Sequence, residues 1–90
     1  MRRTQVSVVR PDKAEGAFRI IGEVSEDTGV AQHILRYWEQ KFPQIRPIRR
    51  GNRRYYRPSD VALILRIKAL RYDEGRTIAE IQAMLKRERA

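Results

Sequence analysis

The chain has 90 residues, 41% of them hydrophobic, with no cysteine, one histidine and a formal net charge of +9. That length holds one modest core and not two. The missing cysteines exclude disulfides, thiol nucleophiles and sulfur metal sites, and a lone histidine cannot build a metal cage, so no cofactor is expected. The charge points to a polyanionic partner, nucleic acid or an anionic membrane surface. Sixteen arginines against four lysines favour forked recognition of phosphate or guanine over diffuse charge.

Residues 1–16 show no clear period and read as a flexible basic arm, or as a short added strand through Val6, Val8 and Val9. They lack the apolar run of a signal peptide, and no stretch of the chain approaches the ~20 apolar residues of a membrane span. The fold is expected to begin at residue 17. Ile21, Val24, Ser25 and Thr28 stand at i, i+3, i+4 and i+7 and predict a helix over residues 18–28. Gly29 follows where a left-handed cap is wanted, and Val30 is placed to plug the gap before the next helix.

Residues 31–41 predict a second helix. Ile34, Leu35, Trp38 and Phe42 form its inner stripe, and Gln32, His33, Arg36, Tyr37 and Gln40 its outer surface. Pro43 stops it. Two short helices joined by a glycine-containing turn are the helix-turn-helix arrangement.

Residues 46–57 carry six arginines and no acid, with Gly51-Asn52 at the middle. Both residues tolerate φ > 0, which suits a two-residue hairpin turn. The flanks then read as two short strands carrying guanidinium groups and two tyrosines. Tyr55 and Tyr56 alternate, so one faces in and one out. A solvated basic loop is the plainer reading, but a turn needs one or two charges, and six unneutralised ones repel each other.

A third helix begins near Pro58, with Asp60 in its positive first turn. Its apolar residues nearly encircle it over residues 61–72, which predicts burial on most sides, and Gly75 ends it. Thr77-Ile78-Ala79-Glu80 is a capping box that opens a fourth helix, with Ile78, Ile81 and Leu85 inward. The acids are scattered, with no histidine or cysteine beside them and no phosphate loop, so the chain is not expected to be an enzyme.

Several of these features together carry a family resemblance. They are Ile21-Gly22-Glu23-Val24, Gly29-Val30, Leu35-Arg36-Tyr37-Trp38-Glu39, Arg54-x-Tyr56, Asp60-Val61, Ile67-x-x-Leu70 and Gly75-x-Thr77-Ile78-x-Glu80-Ile81. In this order and spacing they resemble the DNA-binding domain of the MerR family of bacterial transcription regulators. The resemblance implies a mainly α winged helix-turn-helix of about four helices with a short two-stranded β-hairpin wing, spanning residues 17–90. The second helix would enter the major groove, and the wing would lie on flanking backbone and minor groove.

The residues expected on DNA are Gln32, His33, Arg36 and Tyr37 of the helix and Arg49, Arg50, Asn52, Arg53, Arg54, Tyr55 and Tyr56 of the wing. A salt bridge from Arg36 to Glu39 is the plainer reading of Arg36 and is compatible with a DNA role. Ala31 stands where the family often carries a capping Ser or Thr, which forfeits about 1 kcal/mol. Trp38 replaces a tyrosine, and Arg57 stands where Ser or Thr is common. The 90 residues hold no counterpart of the family's long dimerisation helix or of an effector domain.

Double-stranded DNA is therefore the expected partner, with a homodimer and RNA polymerase at a promoter as further expected partners. Neither a membrane nor a small-molecule effector is expected. The expected compartment is the cytoplasm, in association with the nucleoid. Architectural bending of DNA in the manner of excisionases or nucleoid proteins is the nearer alternative, and RNA binding the further one.

Overall fold

The computed structural model describes residues 18–89, without the side chain of Arg89. The expected basic arm, residues 1–16, lies outside the described residues. In chain order the elements are β1 (Arg19–Ile20), α1 (Ile21–Thr28), α2 (Gln32–Lys41), β2 (Ile48–Arg50), β3 (Arg53–Tyr56), α3 (Pro58–Lys68), a π-helical turn (Ala69–Asp73) that prolongs α3, and α4 (Ile78–Arg89). The architecture is the winged helix-turn-helix expected from the sequence, with one addition. The wing is a three-stranded antiparallel sheet in the order β1-β3-β2.

The extra strand comes from residues assigned to the first helix. Arg19 pairs with Tyr56 and Ile20 with Tyr55, so β1 covers the edge of β3 that a two-stranded hairpin would leave open. Glu23 then closes the start of α1, accepting from the Ile20 amide at 3.2 Å.

The helix-turn-helix is held by its own short polar side chains. Gly29 takes φ 78°, and its amide donates to the Ser25 carbonyl. Thr28 Oγ1 donates to the Val24 carbonyl and accepts from the Val30 amide, while Ser25 Oγ donates to the Val30 carbonyl. Lys68 crosses from α3 and places its ammonium 2.7 Å from the Thr28 carbonyl, where the negative end of the α1 dipole favours a cation.

The core gathers Val24, Val30, Leu35, Trp38, Phe42, Ile45, Tyr56, Ile64, Ile67, Leu70, Ile81 and Leu85. Fully burying an aliphatic side chain such as Ile64, Ile67 or Ile81 contributes about 2 kcal/mol relative to leaving it in water. Trp38 is at the centre, edge-on to Phe42 at 6.5 Å and tilted against Tyr72 at 6.3 Å. The α3 expectation needs correction. Ile64 and Ile67 are fully buried, but Leu65 is 46% exposed and Ala62 is also on the surface. A domain this small has too few neighbours to cover a helix on every side.

The fourth helix starts as predicted, with Glu80 N donating to Thr77 Oγ1 at 3.0 Å and Thr77 N to Glu80 Oε1 at 2.9 Å. Arg66 and Glu88 bridge α3 to α4, and Gln82 Nε2 donates to the Lys41 carbonyl at the end of α2. Among the described residues, no helix is long and apolar enough to cross a membrane.

Candidate nucleic-acid interface

Helix α2 presents Gln32, His33, Arg36 and Tyr37 to solvent, while Leu35 and Trp38 anchor its other side in the core. Its N-terminus is open. Ala31 offers no side-chain acceptor, and the first turn carries no acid, so the positive end of the helix is not neutralised from within. The Lys41 ammonium lies 5.6 Å from the centroid of the Tyr37 ring and turns that ring's face toward positive charge. The Gln32 carboxamide lies over Gly22, 3.7 Å from where a Cβ would stand.

The wing turns at Gly51, with φ 58°, a left-handed conformation that glycine adopts without strain. Pairing sets Arg49 opposite Arg54 and Arg50 opposite Arg53. Because side chains alternate along a strand, Arg49, Arg54 and Tyr56 share the face toward α2, while Ile48, Arg50, Arg53 and Tyr55 share the other. At the tip, Arg49, Gly51, Asn52, Arg53 and Arg54 line a polar cleft of about 170 Å³.

Tyr56 departs from the expectation of a DNA contact. It is the inward tyrosine, 0% exposed, and its hydroxyl donates to Glu39 of α2. Burial, and then the hydrogen bond to the Glu39 carboxylate, raise its pKa above the ordinary 10.0, against a smaller opposing effect of the Arg54 and Arg36 charges. Arg54 is also drawn in, its Nε donating to Glu39 Oε1 at 3.1 Å. Arg49 stands 3.9 Å from the same oxygen with 65% of its side chain exposed. Glu39 is thereby committed to the wing, and the i, i+3 bridge to Arg36 considered from the sequence does not form.

A second carboxylate holds the base of the wing. Asp60 is 2% exposed and accepts from the Arg46 amide at 3.1 Å, from the Arg57 amide at 3.0 Å and from Arg57 Nε at 3.3 Å. Arg57 in turn donates through Nη2 to the Arg46 carbonyl at 2.7 Å. One buried acid thus joins Arg46, two residues before β2, to Arg57, the residue after β3, and opens α3 at the same time. From the sequence alone, Asp60 reads as a helix-dipole acid and Glu39 as a neighbour of Arg36. Asp60 does stand in the first turn of α3, but its contact with Arg46 and those of Glu39 with Arg54 and Tyr56 span 14 to 17 residues, and no local pattern signals them.

The acids sort the arginines into two groups. Arg19 is paired with Asp27, Arg54 with Glu39, Arg57 with Asp60, Arg66 with Glu88 and Arg76 with Glu74. The guanidinium groups of Arg36, Arg46, Arg50, Arg53 and Arg87 make no hydrogen bond or ion pair among the described residues. Arg36 belongs to α2, Arg50 and Arg53 to the wing, Arg46 to the loop that leads into it, and Arg87 to α4. Among the described residues, no group of three or more His, Cys, Asp or Glu stands where it would hold a metal ion.

Residues 20–88 match the family described as MerR HTH family regulatory protein. No curated protein and no solved structure matches the chain.

Proposed function

The chain belongs to the MerR HTH family of regulatory proteins, and from that premise we propose that it reads double-stranded DNA by sequence, with α2 in the major groove and the wing on flanking backbone and minor groove. DNA-binding regulation of transcription is the family's role. The observation that carries the finer reading is the placement of four of the five unpaired guanidinium groups, Arg87 of α4 being the fifth. Arg36 projects from the open face of α2, and Arg46, Arg50 and Arg53 stand on or beside the wing.

On this reading Arg36 forks onto a guanine edge or a phosphate, and Tyr37 lies against phosphate or a thymine methyl. The uncapped N-terminus of α2 supports a phosphate beside it, because free amides and the helix dipole both favour an anion. Arg50 and Arg53 hold the flanking backbone. Glu39 and Asp60 contact no DNA. Glu39 ties the wing to α2 and Asp60 closes the wing's base on α3, so that both sets of contacts are made at once.

Substituting Arg36→Ala and Arg50→Ala, and measuring each variant against a panel of duplexes, tests the division of labour. Arg36→Ala is expected to flatten base preference by about 1–3 kcal/mol. Arg50→Ala is expected to weaken every duplex alike. An equal loss on all sequences for both variants overturns the assignment of α2 as the reading helix.

A further inference from the structure

The sheet has a second face, and α2 does not use it. Tyr55 pairs with Ile20 on one side and Ile48 on the other, and paired residues of antiparallel strands project to the same side. Ile20 and Ile48 are half-buried there, outside the cluster that packs against the core. Phe18, 41% exposed, stands beside them and lines a cleft of about 380 Å³ with Arg50 and Tyr55. Arg50 and Arg53 flank this face, and neither has a partner among the described residues.

We propose that this outer face of the wing binds single-stranded DNA, with unpaired bases on Phe18 and Tyr55 and the connecting phosphates on Arg50 and Arg53. The charge complementarity selects a polyanion, since the strand residues on this face include two free guanidinium groups and no carboxylate. The aromatic pair selects an unpaired strand, because a duplex keeps the faces of its bases stacked on one another and cannot lay them on a protein ring. Two rings on a short sheet accept about two bases. Arg50 and Arg53 are shared with the duplex reading, in which they hold flanking backbone, whereas Phe18 has no part in that reading and its substitution separates the two.

Full-length protein is titrated with a short labelled oligothymidylate at low salt, and the same oligomer carrying 5-iodouracil is photo-crosslinked. Phe18→Ala is expected to weaken oligothymidylate binding about tenfold and to leave duplex binding and Tm unchanged. Tyr55→Leu, which keeps an apolar side chain against Ile20 and Ile48, is expected to show a similar loss for the single strand. Arg36→Ala is expected to bind the single strand as wild type does. Crosslinks are expected at Phe18 or Tyr55. Wild-type oligothymidylate affinity in Phe18→Ala overturns the proposal, as do crosslinks confined to Tyr37 or Tyr72, or an equal loss in Arg36→Ala. Much tighter binding of oligouridylate than of oligothymidylate overturns it in favour of RNA.

Discussion

The Tyr56 hydroxyl gives its proton to a carboxylate inside the fold, and that fixes how the residue responds to alkali. Its pKa is raised above the ordinary 10.0, chiefly by burial and then by Glu39. The folded state therefore holds this proton more tightly than the unfolded chain does. The stabilisation is complete below pH 10 and is lost as pH rises toward the folded-state value. Wild type is expected to lose stability above pH 10 more steeply than Tyr56→Phe, in denaturant melts taken on both sides of that pH. At neutral pH the variant is expected to cost about 1 kcal/mol, the usual worth of one hydrogen bond. Identical alkaline profiles for the two proteins contradict the Tyr56–Glu39 bond. The sequence told us that one tyrosine faces in, from the period of two. Which one was hidden, because the answer depends on a strand and a helix 17 or more residues away in the chain.

At the scale of elements, the wing is held by Asp60. Removing its carboxylate leaves the amides of Arg46 and Arg57 and the Nε of Arg57 without their acceptor. Stripping the acceptor from a buried, charge-assisted cluster costs about 3 kcal/mol. For a domain of this size that lowers Tm by on the order of 15 °C. Asp60→Ala is expected to show this loss in a thermal melt, and a Tm within a few degrees of wild type contradicts the assignment. The helices themselves were legible from local signals: the glycine after α1, the Thr77–Glu80 box and the apolar stripe around Trp38 each act within a few residues. A two-residue strand such as β1 has no period to detect. The outward exposure of Leu65 was likewise invisible, because composition around α3 does not say how many neighbours the fold supplies.

For the whole molecule, the net charge is +9, and among the described residues the arginines divide into those that hold the fold and those left to solvent, most of the latter on α2 and around the wing. Binding by such a surface releases counterions from the duplex. If six to eight basic groups meet phosphates, log K falls against log salt with a slope of about −5 to −7. Titrations of a duplex over a range of salt check this, and a slope near −2 contradicts a wing and helix acting together. Composition alone announced the polyanion. The division between structural and free arginines needed the positions of the acids, which only the folded chain brings within reach.

Selection of the protein against a random duplex library at physiological salt tests the central claim most directly. The account predicts an enriched sequence, read by α2 and lost with Arg36→Ala while residual affinity for any duplex remains. Binding without an enriched sequence contradicts it, and makes the protein one that holds backbone through its wing without reading bases.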